Sequence, residues 1–315
     1  MSRPSSDILE SARPAHRSLI ERLMPRPPRR ISIDPLALAF VGPAVAIVFL
    51  VSIYPVFDAA VLSVFRTSYA QKVAFVGFGN YTALLADRGF WQSAANALIF
   101  TSASLALVVP LSLGLALFLD AKVPLRGLTR TIVVLPWVMS QTVVALLWAW
   151  LLNGDFGPLT YAAEQILGHR PAFLSDPTAA MASLVVVNVW ASYPQATLLL
   201  LAAVQTIPQE LYEAAQVDGA SAGARLRHVT LPMIKPTLLV VMIQLTLLYF
   251  NMVTLIYTLT GGGPLAGTET LAVRVMKTSF EDWNLGRGAA LGLIITLVNF
   301  LISLVYVKTL RPASK

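Results

Sequence analysis

Long apolar runs alternate with short polar intervals along most of this 315-residue chain. Runs of about 20 largely apolar residues, the length needed to cross some 30 Å of hydrocarbon, occur at roughly 36–60, 94–119, 131–152, 179–206, 237–259 and 288–307. No strand-like alternation replaces them, and an open backbone in lipid would leave N–H and C=O groups unpaired, so all six are predicted to be helices. The pattern predicts an all-α integral membrane protein with a transmembrane domain over 35–310. A basic tail over 1–34 precedes it and a short tail over 311–315 follows.

Composition agrees with a bilayer. Hydrophobic residues make up 56% of the chain and charged residues 12%, against about 45–50% apolar and about 25% charged in soluble domains. Placing both termini on one side puts sixteen of the 23 Lys and Arg residues there, counted over the tails, residues 122–130, residues 225–235 and Lys308. Both termini are therefore expected in the cytoplasm, and the net charge of +7 reads as topology, with no nucleic-acid partner. Arg29-Arg30 invites a twin-arginine export reading, but the apolar run that follows is long and has no small-residue cleavage site, which favours an uncleaved anchor.

The chemistry is mostly negative. With no cysteine there is no disulfide, thiol nucleophile or Cys-ligated metal, and His16, His169 and His228 are too scattered to share a metal ion. No phosphate-cradling Gly-rich loop ending in Lys-Ser/Thr occurs, so any ATP must be bound by another chain. Apart from Asp58 near the outer end of the first run, the apolar runs hold no ionisable side chain, which argues against an ion-coupled carrier.

The runs do carry neutral polar and aromatic groups: Asn188, Trp190, Ser192 and Gln195 in the fourth, and Gln244, Tyr249 and Asn251 in the fifth. Pro194 removes a backbone hydrogen bond, and a kink there would aim several of these side chains at one cavity. Amides beside aromatic faces suit a neutral polyhydroxylated solute, though the same groups also serve to join helices in lipid.

Between the fourth and fifth runs, residues 207–236 form a polar cytoplasmic loop. Pro208 and Glu210 suit the first turn of a helix through "ELYEAAQV", with Leu211, Ala214 and Ala215 on one face, and Asp218-Gly219 to end it in a left-handed cap. Ser221 is a candidate N-cap for a second short helix, "AGARLRHV", which closes near Arg227 and His228 and stops at Pro232.

Glu213-Ala214-Ala215, three residues, Gly219, nine residues, Val229, one residue and Leu231-Pro232 resemble the cytoplasmic signature of the membrane subunits of binding-protein-dependent ABC importers, with Val229 where the pattern has Ile. The segments "FVGFGNYTALLADRGFW" at 75–91, "NVWASYPQ" at 188–195 and "LTGGGP" at 259–264 are similar to the carbohydrate-uptake group, and more to the first than the second of its paired permeases. The resemblance implies a type I importer permease fold in a bacterial inner membrane. It implies a second permease, two ATPase subunits carrying ATP and Mg2+, an extracytoplasmic solute-binding protein and a sugar-like solute as partners, with no bond chemistry in this chain. Glu213, Ala214, Ala215, Asp218, Gly219, Ala220, Ser221, Arg225, Leu231 and Pro232 would then dock on the ATPase. Asn188 and Trp190 coincide with sugar-contacting positions of the maltose-type relatives. Ser192 stands where those relatives have Gly, and Gln195 where they have an aromatic residue.

Overall fold

A computed structural model describes residues 35–69, 71–121 and 126–310; the two predicted tails lie outside the described residues. The described residues divide into two units, one up to Pro55 and one from Val56 onward. The first unit holds helix α1 (Pro35–Val48) and a π-helical turn, Phe49–Ile53.

The order after that is α2 (Tyr54–Ser63), β1 (Phe65–Ser68), β2 (Gln71–Phe75), α3 (Gly79–Ala86), α4 (Arg88–Asp120), α5 (Arg126–Val138), α6 (Gln141–Leu151), α7 (Pro158–Leu167) and α8 (Pro177–Gln205). Then come α9 (Gln209–Val217), α10 (Ala222–Arg225), a π turn (Leu226–Thr230), α11 (Leu231–Phe250), α12 (Thr254–Thr260), α13 (Leu271–Phe280) and α14 (Leu285–Leu310). Among the described residues, Ala39–Ser63, Arg88–Asp120, Pro177–Gln205, Ala222–Phe250 and Leu285–Thr309 are each long and apolar enough to cross a membrane. They overlap five of the predicted runs and extend a few residues past most ends, because a helix need not stop where hydrocarbon does.

Three expectations require correction. The third run, 131–152, is not one straight span: α5 and α6 meet at 93° across Met139 and Ser140. Pro136 weakens the ladder just before the bend, and Ser140 has extended backbone angles. The fifth run is displaced, since the helix ends at Phe250 and a separate helix starts at Thr254. Finally, the second loop helix does not stop at Pro232. It passes through the π turn into α11, where Pro232 occupies the first turn, so the second half of the polar loop and the fifth span are one helix from Ala222 to Phe250. One element was not anticipated at all, a short antiparallel hairpin pairing Phe65 with Phe75 and Arg66 with Ala74.

The core is built on α4 against α8, with α5, α11 and α12 closing round α8. Phe100 and Val108 of α4, Leu184, Val187, Ala196 and Leu200 of α8, and Leu245 and Tyr249 of α11 are fully buried there. The two central helices start cleanly: Asp87 accepts from the Gly89 N–H at 2.9 Å, and Asp176 accepts from the Ala179 N–H at 2.8 Å with Pro177 behind it. Along the contact, the Ser112 hydroxyl donates to the Tyr193 carbonyl at 3.0 Å, next to Pro194, and α8 remains a single helix through that proline.

The hairpin is held by α14. The Gly286 N–H donates to the Thr67 hydroxyl at 2.8 Å, and a Cβ on Gly286 would stand 2.1 Å from the Phe65 carbonyl oxygen. Gly286→Ala is therefore expected to destabilise the protein by roughly 1–3 kcal/mol, the usual cost of overpacking, while Gly292→Ala on the same helix, which meets nothing within 4 Å, is neutral. Thermal unfolding of the two variants in detergent measures the difference, and equal melting temperatures would refute the close approach.

Candidate functional site

Two places carry the predicted residues: the polar loop and an open cavity on the face of the helical bundle. In the loop, α9 ends in a Schellman motif. The Ala220 N–H donates to the Ala215 carbonyl at 2.9 Å and the Gly219 N–H to the Gln216 carbonyl at 3.1 Å, with Gly219 at φ +80°. No side chain crowds this position, so the need for glycine is conformational. After the turn, the Ser221 hydroxyl accepts from the Ala224 N–H at 3.3 Å and caps the next helix, as the spacing predicts.

The two arms of the loop are joined by Tyr212, whose hydroxyl lies 3.0 Å from that of the buried Thr230 inside the π turn. Val229 and Leu231 pack on the core from the same stretch. Outward, Glu213, Ala214, Asp218, Ser221 and Pro232 are exposed, Ala215, Ala220 and Arg225 are half-buried, and Val217 is 88% exposed. Glu213 accepts from the Gln209 side-chain amide at 3.0 Å, and the ion pairs among the described residues all lie elsewhere. Arg225 reaches the Gln216 side chain at 3.5 Å. The loop thus presents an acidic group, a small-residue face and basic side chains, with the turn at Gly219 and the start of the second helix hydrogen-bonded internally.

On the face of the bundle, Gln141, Gln195, Gln244 and Asn251 line an open cavity of about 600 Å³, with Gln141, Gln244 and Asn251 exposed. A neighbouring recess of about 140 Å³ is lined by Gln141, Asn188, Ser192 and Gln195 among apolar groups. No charged side chain lines either space. The helix breaks explain the location. Gln141 opens α6 directly after the bend. Asn251 follows the last residue of α11, and both its backbone N–H and its side-chain amide donate to the Leu247 carbonyl, at 3.3 and 2.7 Å, which closes the helix there. Gln141 was missed from sequence; the run Ser140-Gln141-Thr142 after Pro136, polar within an apolar stretch, is the signal that marks it.

Two predicted contacts fall elsewhere. Trp190 lines neither space; its ring packs edge-on against Trp148 at 5.6 Å between centroids. Tyr249 is buried behind the cavity wall, edge-on to Phe100, with its hydroxyl 2.6 Å from that of Ser192. The direction of this bond follows from its neighbour. The Asn188 carbonyl only accepts, and the Ser192 hydroxyl lies 2.5 Å from it, so Ser192 donates there and Tyr249 donates to Ser192. Asn188 itself is buried, and its side-chain Nδ2 has no partner beside the smaller recess. A buried donor left unpaired costs roughly 1–3 kcal/mol, so the recess suits a water or a solute hydroxyl.

The similarities point one way. A profile of the family described as "Binding-protein-dependent transport system inner membrane component" matches residues 108–309. A trehalose/maltose transport system permease from Thermococcus litoralis is 34% identical over 281 residues, covering 88% of this chain and 94% of that protein. A sulfoquinovosyl glycerol transport system permease from Agrobacterium fabrum is 29% identical over 295 residues, covering 92% and 96%. Among solved structures, a bacterial ABC transporter involved in the import of the acidic polysaccharide alginate superposes with a TM-score of 0.78 over 96% of this chain and 100% of that one, at 23% identity, a likeness of fold.

Tyr249→Phe removes one buried hydrogen bond and leaves its volume filled. The expected effect is a loss of about 1 kcal/mol, a fall of a few degrees in melting temperature, followed by thermal unfolding in detergent. An unchanged melting temperature would show that the Ser192–Tyr249 bond contributes nothing to the fold.

Proposed function

The chain belongs to the family of binding-protein-dependent transport system inner membrane components, and we propose that it is the permease subunit through which an ATP-driven importer of a bacterial inner membrane passes a sugar or sugar-like solute. The observation that carries the solute class is the uncharged cavity with four amide side chains, Gln141, Gln195, Gln244 and Asn251, on its wall. Amides donate and accept at once, which matches hydroxyl groups, and a wall without charge gives an ion no compensation for its lost hydration. The names of the Thermococcus and Agrobacterium relatives support a sugar or a sugar derivative.

In this reading the chain performs no bond chemistry. It pairs with a second permease, receives solute from an extracytoplasmic binding protein, and docks the loop at Glu213 to Pro232 on one of two ATP-binding subunits, which hold ATP and Mg2+. The helix from Ala222 to Phe250 begins in that loop and carries Gln244 on the cavity wall. Closure of the ATPases on ATP would move the loop, and the helix would carry that displacement to the cavity. The loop must fit the closed and open ATPases unequally, since a partner shifts a conformational equilibrium only by its differential affinity. The relative named for sulfoquinovosyl glycerol supports a rival in which the solute is anionic, its charge being met outside this cavity.

Glu213→Lys is expected to leave the protein inserted, to abolish ATP-dependent uptake in proteoliposomes and to reduce the ATPase that co-purifies. Intact uptake would overturn the docking role. For the cavity, Gln244→Leu should weaken solute binding about tenfold, equivalent to about 1.4 kcal/mol, with the complex still assembled. Equilibrium dialysis of the purified complex against trehalose, maltose and sulfoquinovosyl glycerol, without the binding protein, measures it. Unchanged binding would remove Gln244 from the site.

A further inference from the structure

Residues 288–307, the core of the last span, contain a single side-chain amide, Asn299. An amide in that setting is costly unless another helix meets it. Asn299 is half-buried on α14, and its Nδ2 donates to Oδ1 of Asn251 at 3.0 Å. Asn251 is in turn committed at its other end, where Nδ2 donates to the Leu247 carbonyl at 2.7 Å.

The direction of this chain of bonds is fixed by its first member. A carbonyl oxygen can only accept, so Asn251 must turn its NH2 toward Leu247 and its oxygen toward Asn299, and Asn299 must present its own NH2. Asn251, on the cavity wall, is therefore held in one defined arrangement, with one N–H and one oxygen lone pair left over. Asn299 does not line the cavity itself, and its Oδ1 is buried without a partner.

Resting on the reading of the cavity as a solute site, we infer that Asn299 is a positioning residue that holds the Asn251 amide in one orientation and thereby sets solute affinity. The Leu247 bond fixes which end of the Asn251 amide donates, and the Asn299 bond fixes its plane. With Asn299 removed, the Asn251 oxygen loses its partner and the amide can swing about the Leu247 bond, losing part of its discrimination among hydroxyl patterns. The sixth span thus takes part in recognition from behind the cavity wall.

The test uses the assembled complex in detergent and whichever of trehalose, maltose and sulfoquinovosyl glycerol binds the unaltered protein most tightly. Asn299→Leu and the near-isosteric Asn299→Asp, which replaces the donor with an acceptor, should each raise Kd at least fivefold, with subunit stoichiometry and basal ATPase rate kept within twofold. Asn299→Gln, which retains the donor, should bring Kd back to within twofold, and Asn299→Leu added to Asn251→Ala should have no further effect. If Gln244→Leu weakens binding while every Asn299 variant binds normally, the inference falls alone and the amide pair only joins two helices. Loss of subunits in all Asn299 variants overturns it equally, because Asn299 would then hold the assembly together. If none of the three sugars binds, or Gln244→Leu has no effect, the sugar site falls and this inference with it.

Discussion

In hydrocarbon an unpaired backbone N–H or C=O costs several kcal/mol, so a span can give up its helical ladder only where other groups meet the freed ones or where water reaches them. That constraint organises the interior of this protein. Two apolar runs lose their ladder, one at Met139 and Ser140 and one between Phe250 and Thr254, and both breaks border the same cavity. Gln141 opens the helix after the first break, and Asn251 closes the helix before the second. The polar side chains and the irregular backbone therefore occur together for one reason: each is tolerated only beside a polar space, and each helps to make that space polar.

The opposite arrangement holds between Ala222 and Phe250, where the ladder continues although two prolines, Pro232 and Pro236, stand in the way. The π turn over Leu226–Thr230 lies immediately before Pro232, and Pro232 falls in the first turn after it, where its missing N–H matters least. The result is a helix of 29 residues, about 43 Å at 1.5 Å per residue, reaching from the loop to the cavity wall. Tyr212 ties the first arm of the loop to this helix at Thr230, and Tyr249 ties its far end to Ser192 of α8. The loop and the cavity wall are thus two ends of one continuous helix.

What the sequence discloses and what it conceals follow from the range of the forces involved. The loop is legible because its signals are local: Gly219 at a positive φ and Ser221 at the cap act within three residues of themselves. The spans are legible because 20 apolar residues are a large signal. The 93° bend is concealed because Pro136 alone permits either a kink or a straight helix, and the choice depends on α8 packed against α5. The packing of Trp190 is concealed for a related reason. Its ring lies edge-on to Trp148 on α6, and a contact between residues 42 positions apart leaves no trace in local pattern. Pro232 reads as a terminator because a π turn has no sequence signature that would predict it.

Charge is handled at the opposite end of the bundle from the loop, on the face that the basic-residue count assigns to the outside. Asp87 caps α4 and pairs with Arg274 and Arg287, while Glu269 pairs with Arg274 and Lys277, all partly buried. Five ionised groups are engaged in this way with one another, joining the start of α4 to α13 and α14, and none lines the cavity. On the proposed reading of the cavity as a solute site, recognition there would depend on dipoles. A charge attracts from any side, but an amide attracts a hydroxyl only when the correct end faces it, so groups that fix amide orientation matter as much as the amides that touch solute. The chain from the Leu247 carbonyl through Asn251 to Asn299 orients an amide with backbone and neutral side chains alone, the form of control that the proposed site, which holds no charge, would have available.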